Sequence, residues 1–507
     1  MVGSAASATE PDPVPENVCG GKTISRAMAF VRIRDLRFPV RGRDPDYFQI
    51  EDLYTMSRES LRSLEDAPLG MFHVRLTLYS AGGPFCDGYI LGIIAIALIP
   101  LSAALKLGST WEGLIAAASL IGVFIGGILF GYVTDRVGRR FMYTLDLAVF
   151  VLASGAQLWV SSAWMLLVLR LVLGMAVGAD YPIVSALVAE LAPRERRGML
   201  LSIMIGAWWV GYACSFLAGF ALTRFAGPDT WHWILASSAV PAAVIGLLRQ
   251  GTPESPRWLL AQGRHAEAES VVHRYFGPQY RLDAAPASRT AYGRIFSKEY
   301  RRRTGFVCLF WACQIVPTFG IYTFTPDLLG ALGVPSPLLG SIVTSVCFLL
   351  GVIPAAALID RIGRRVLLIV PFAIAGLCLL ALALLPRSAI SLIALAFAIF
   401  AIFNAGSSVL QWVYPSELFP TEVRATAVGF ATAVSRVGAA VGTFLVPLAL
   451  HGFGVRALML TFAGICLLGW VVAIRFAPET RGLSLQAASG ELQREMNVQP
   501  SRGNSSA

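Results

Sequence analysis

Apolar runs of about 20 residues, long enough to cross a bilayer as helices, recur along this chain between short polar segments. Twelve are recognised, at 76–101, 111–133, 141–160, 164–191, 200–225 and 231–248, then at 304–324, 337–359, 366–385, 390–416, 426–450 and 457–475. A polar stretch at 250–303, with helical spacing in part, separates the first six from the last six. The pattern predicts an all-α membrane protein with twelve transmembrane helices in two pseudo-symmetric six-helix bundles. The expected segments are an N-terminal tail at 1–70, bundles at 71–249 and 304–477, a cytoplasmic linker with short helices at 250–303, and a C-terminal tail at 478–507.

Composition agrees with this reading: 56% of residues are hydrophobic, 14% are charged, and mean hydropathy is +0.64. The net charge of +10 would suggest nucleic acid in a soluble protein. Here it follows the loops instead. With the N-terminus inside, the inner loops hold Arg136, Arg139, Arg140, Arg194, Arg196, Arg197, Arg361, Arg364, Arg365, Arg424 and most of the basic residues between 249 and 303, whereas the outer loops hold only Lys106, Arg224, Arg387 and Arg456. That asymmetry predicts a multi-pass protein of the cytoplasmic membrane with both termini cytoplasmic, in contact with lipid and not with nucleic acid. The eight cysteines are scattered, with no C-x-x-C, and imply neither a disulfide framework nor a metal site. The tail at 1–70 has no apolar core of a signal peptide and reads as a disordered cytosolic segment. Its basic stretch 24–43 has an alternative reading as a segment lying on anionic lipid, and Met56 is an alternative start.

Between the second and third runs lies Gly-Tyr-Val-Thr-Asp-Arg-Val-Gly-Arg-Arg, from Gly131 to Arg140. Asp135, Arg136, Gly138, Arg139 and Arg140 return 225 positions later as Asp360, Arg361, Gly363, Arg364 and Arg365. Glu190, Pro193 and Arg197 return as Glu417, Pro420 and Arg424, and Pro253-Glu254 as Pro478-Glu479. The chain was built twice. A turn carrying an aspartate and three arginines has no place in hydrocarbon and must lie in water or headgroups.

The twofold D-R-x-G-R-R between spans resembles the signature of the major facilitator superfamily of transporters. Pro253-Glu254-Ser255-Pro256-Arg257-Trp258-Leu259 and Pro478-Glu479-Thr480-Arg481-Gly482-Leu483 resemble loop motifs of its sugar porters and their organic-ion and synaptic-vesicle-glycoprotein-like relatives, and the resemblance covers roughly 66–487. It implies a secondary transporter working by alternating access. It also implies a cytoplasmic gate, in which Asp135, Arg136, Arg140, Asp360, Arg361 and Arg365 bind helix ends and the acids Glu190 and Glu417, with Arg197 and Arg424 in the same motifs. The alternative is that these charges only set topology.

Ionisable groups within spans cost about 2.5–3.5 kcal/mol each and are functional candidates by default. At about 1.5 Å per residue, Asp87, Asp180, Gln314 and Arg436 all lie roughly 15 Å from the inner face. That is the level at which transporters of repeated architecture hold substrate. Asp180, in Gly178-Ala179-Asp180-Tyr181-Pro182, resembles a signature of proton-coupled phosphate porters and related metabolite symporters. Asp87, Asp180 and Arg170 are the proton-coupling candidates, the proton being the coupling ion and no cofactor being expected. Arg436, Gln314, Gln411, Tyr181, Tyr322 and Trp209 are the substrate candidates, Arg436 for an anionic group. The rival readings are that Asp87 and Arg436 only neutralise each other, that the aromatic residues only pack, and that Asp146 is structural and near the inner face.

Sugar porters pair an arginine like Arg170 with an aspartate after Gly-Tyr, but here Ile90 fills that place, and the fifth span lacks the glutamine that sugar porters carry. The expected function is therefore symport of a small metabolite with protons, an organic acid first and a sugar or polyol second, by a functional monomer. Alternatives are an uncoupled facilitator, an exporter or a membrane solute sensor. With no Walker motif, H-E-x-x-H or G-x-S-x-G, an enzyme is not expected.

Overall fold

In hydrocarbon a backbone N–H has no partner except its own helix, so each apolar run closes as one. The computed structural model describes residues 62–63, 67–193, 196–225, 230–249, 254–281, 292–419 and 421–481. The first half holds α1 (Met71–Leu105), α2 (Ser109–Val137), α3 (Arg139–Ala156, with a 3-10 turn at Gln157–Trp159), α4 (Ala163–Leu191) and α5 (Arg197–Phe225). A sixth span is made of α6 (Thr230–Ala236) and α7 (Ala239–Leu248). Two short helices, α8 (Pro256–Ala261) and α9 (His265–Phe276), follow. The second half opens with α10 (Arg301–Thr323), continued by α11 (Thr325–Ala331), and goes on with α12 (Pro337–Ile362) and α13 (Arg364–Leu384). It ends with α14 (Ile390–Ser408), continued by α15 (Leu410–Leu418), and α16 (Thr421–Phe476). Eleven helices among the described residues are long and apolar enough to span a membrane, and the last is broken at Gly454 (φ 79°) into two spans. The twelve expected spans are present.

Association of helices in lipid depends on close backbone approach rather than on hydrophobicity. Gly122 and Gly126 of α2 face Gly174 and Gly178 of α4, and a Cβ at any of the four would collide with backbone of the opposite helix. Gly88 of α1 and Gly211 of α5 interlock in the same way. The outer faces carry exposed Leu152, Val240, Ile353 and Leu384, as a lipid-facing surface requires. The linker helix α9 packs Val272 and Phe276 against Leu76 of α1 and Leu187 and Leu191 of α4.

The repeat is visible at the charged turns. Gly138 (φ 106°) ends α2 and Gly363 (φ 96°) ends α12, a conformation that side chains rarely adopt. Each lets the next helix start at once. The N-termini of α3 and α13 are thereby presented to the two Pro-Glu motifs.

Candidate functional site

Asp87 and Asp180 are fully buried, and neither carboxylate oxygen of Asp87 has a hydrogen-bond partner. They come together because α1 lacks a side chain at Gly83: the Asp180 carboxylate lies on that bare backbone, one turn before Asp87. Asp146 of α3 joins them. It is buried, with Oδ1 accepting from Leu147 N–H (2.6 Å), and its carboxylate sits beside that of Asp180. Judged by its position along the helix, Asp146 reads as a structural acid near the inner face; the structure instead makes it the third member of a carboxylate cluster. Arg436 of the second half is within electrostatic reach of Asp87 and stands 5.4 Å from the Phe319 ring centroid. Two charged groups that sequence depth placed at one level thus influence each other across the two halves.

Arg170 is 1% exposed and donates from Nη1 to the Ile90 carbonyl at 2.9 Å, while Nε and Nη2 have no partner. The backbone of the residue that replaces the sugar-porter aspartate has become its acceptor.

In the second half the buried amides satisfy one another. Gln411 Nε2 donates to Gln314 Oε1, Gln314 Nε2 donates to Asn404 Oδ1 (2.9 Å), and Asn404 Nδ2 donates to Thr318 Oγ (3.0 Å). Amides are costly in an apolar interior without partners, which is why three helical segments contribute one connected chain. An aromatic layer adjoins it. Trp209 stacks on Phe348 (centroids 4.8 Å apart), Tyr212 Oη donates to the Tyr322 carbonyl (3.2 Å), and Tyr322 packs against Phe319 at 4.5 Å. Trp209 and Tyr212 belong to the first half and the others to the second. These contacts join the two halves through side chains. At the end away from the basic loops Gly113 of α2 packs on the Phe444 backbone of α16, and His451 Nε2 is 3.9 Å from Glu112 Oε2.

At the basic end Glu254 accepts from the backbone N–H groups of Arg139 (3.1 Å) and Arg140 (3.1 Å) at the start of α3. Glu479 accepts from those of Arg364 (3.0 Å) and Arg365 (3.1 Å) at the start of α13. A carboxylate at a helix N-terminus meets unpaired donors and the positive end of the dipole. Glu417 is bound by Arg364 Nη2 (2.9 Å) and by Thr480 Oγ. The arginine on Glu417 is thus Arg364, which the expected gate set does not include. Arg364 is the first residue of α13 and turns towards α15, whereas Arg361 is exposed and Arg365 Nη2 reaches the Ile474 carbonyl at 3.0 Å. Arg140 likewise is exposed and serves through its backbone. The side chains of Tyr181, Asp135, Arg136, Glu190, Arg197, Asp360 and Arg424 lie outside the described residues.

Against known proteins, the pattern of the family described as sugar (and other) transporter matches residues 76–491. The chain belongs to the sugar (and other) transporter family. It is 41% identical over 431 residues to YaaU of Escherichia coli (strain K12), assigned by its name to metabolite transport, covering 84% of this chain and 97% of that one. It is 39% identical over 427 residues to the inner membrane metabolite transport protein YgcS of the same strain, covering 84% and 96%. In fold it is similar to the xylose transporter XylE from E. coli in a partially occluded inward open conformation. The TM-score is 0.70 at 22% identity, over 82% of this chain and 100% of that one. It is a multi-pass membrane transporter of the major facilitator superfamily, and not an enzyme.

Sequence reasoning about this transporter missed three things. Asn404 and Thr318 complete the amide chain, and their spacing, Thr318 four residues after Gln314 and Asn404 seven before Gln411, was the available signal. Asp146 was set aside because depth was counted along a single helix. The role of the Pro-Glu repeats as helix caps was hidden, although their matched spacing to the charged turns was in view.

Proposed function

We propose that this transporter couples uptake of a small organic acid to protons, with a sugar or polyol as the second substrate class. The supporting observation is the arrangement of buried Asp87, with unpartnered oxygens and Asp180 beside it, within electrostatic reach of Arg436 from the opposite half. A buried carboxylate that must lose its proton to pair with a cation exchanges one partner for another. In this reading Asp180 and Asp87 carry the proton, and Arg436 alternates between Asp87 and the anionic group of the substrate. Gln314 and Gln411 offer hydrogen bonds, Trp209, Tyr181 and Tyr322 shape the cavity, and Arg170 holds α1 through the Ile90 carbonyl. The charged turns with Glu190, Arg197, Glu417 and Arg424 close the cytoplasmic side, and the functional unit is a monomer in the inner membrane with both termini in the cytoplasm.

The experiment is internal pH in dye-loaded proteoliposomes challenged with monocarboxylates, aromatic acids, sugars, polyols and phosphate. Acidification with acids that is lost in Asp180→Asn, while counterflow persists, supports the reading. Counterflow of a solute without acidification would make Asp87 and Arg436 a structural pair and the protein a facilitator.

A further inference from the structure

Hydroxyl groups in buried helices ordinarily donate to a carbonyl three or four residues back. This protein follows that rule widely: Ser341 bonds the Pro337 carbonyl, Thr344 that of Gly340, Thr432 that of Val428 and Ser435 that of Thr432. On α1, Thr77 (2% exposed) and Ser80 (0%) break it, their hydroxyl oxygens being buried and without any partner. Pro84 has no N–H, so the Ser80 carbonyl also lacks its helical donor. Thr77, Ser80, Pro84 and Asp87 are spaced three, four and three residues apart, which puts them on one face of the helix. Asp180 lies against Gly83 beside this stripe. From Asp87 to Thr77 the stripe runs about 15 Å along α1. One turn further is His73, whose Nδ1 accepts from Gly70 N–H at 3.0 Å and whose other ring nitrogen faces the Leu191 backbone; residues 68–70 beyond it are exposed.

Buried polar atoms without protein partners, in a row, are the places where ordered water sits. We infer that Thr77, Ser80 and the Ser80 carbonyl hold a file of water that carries the proton between the Asp87 and Asp180 carboxylates and the cytoplasmic end of α1. The inference rests on the proton-coupled reading above. The stripe leads from the carboxylates towards the cytoplasmic end of α1. Each hop passes a proton from a donor oxygen to the next water while that water passes on one of its own, so no net charge is left on a hydroxyl. Among the described residues, the titratable and charged groups around the path are Asp87, Asp180, Asp146 and Arg436 at its midplane end and His73 at its cytoplasmic end.

The test is infrared spectroscopy of the reconstituted full chain, following the C=O band of protonated carboxylic acid after a switch into D2O. The component lost in Asp180→Asn identifies the relevant group. Wild-type protein is expected to exchange rapidly. The isosteric Thr77→Val combined with Ser80→Ala is expected to slow exchange at least tenfold. Pro84→Ala, which returns a donor to the Ser80 carbonyl while favouring the helix, is expected to slow it by itself. Leu78→Ala, on the lipid-exposed face, is the control. Exchange within twofold of wild type in both path variants would overturn the route and leave the proton reading standing. Absence of any Asp180-dependent acid band between pH 5 and 8 would overturn the proton reading, and the route with it.

Discussion

Replacing Glu479 by glutamine tests the helix-cap account of the Pro-Glu repeat. In the native protein Oε1 accepts from the N–H groups of Arg364, Thr480 and Arg481 (3.0, 3.0 and 2.9 Å), and Oε2 from that of Arg365 (3.1 Å). Glutamine keeps one acceptor oxygen, so it can retain the first three bonds in neutral form and loses the fourth. A hydrogen bond to a charged acceptor contributes about 1.5–3 kcal/mol and a neutral one about 0.5–1.5. The gross loss, four charged bonds against three neutral ones, is about 6 kcal/mol, but Glu479 is exposed and water screens most of it. About 1 kcal/mol remains, in line with an anion at a helix N-terminus. That is about fivefold in the local opening equilibrium, read as faster hydrogen exchange of the first-turn amides of α13 at neutral pH.

The pH dependence has a definite sign. Partial burial raises the Glu479 pKa, but the four backbone donors outweigh it and hold the carboxyl below its ordinary value of 4.5. A depressed folded-state value gives a contribution that is complete above the ordinary pKa and is lost as pH falls through the folded one. The gap between wild type and Glu479→Gln should therefore be present at pH 7 and shrink towards pH 3. Equal protection at pH 7, or a gap that stays constant on acidification, would refute the account. Glu254→Gln should act in the same direction on the first turn of α3, where Glu254 meets Arg139 and Arg140.

Three other outcomes follow from the packing. Gln314→Ala strands the buried amides of Asn404 and Gln411, which should cost about 2–4 kcal/mol, visible as a lower thermal midpoint of the detergent-purified protein. Gly126→Val drives a side chain into the Met175 backbone of α4 and should abolish monodisperse purification, whereas Gly206→Ala, with nothing nearby, should not. Arg364→Ala frees the half-buried Glu417 and should change transport rate in counterflow, while Arg361→Ala, at an exposed position, should leave it near wild type.

The sequence by itself determined the twelve spans, the duplication and the midplane level of the charged groups. These depend on hydrocarbon thickness and on the cost of unpaired polar groups, both of which act locally on the chain. Asp87, Asp180, Arg436, Gln314 and Gln411 were legible because ionisable and amide groups are rare in apolar runs. What only the tertiary structure decided is which of them meet. Gly83 admits Asp180 to the face of α1, a contact between helices that no spacing encodes. Helix rotation brings Asp146 to Asp180 and turns Arg170 to the Ile90 carbonyl, because direction around a helix is set by packing against neighbours. The choice of Arg364 over Arg365 for Glu417 is a difference of about 100° around α13, fixed by where Gly363 starts that helix.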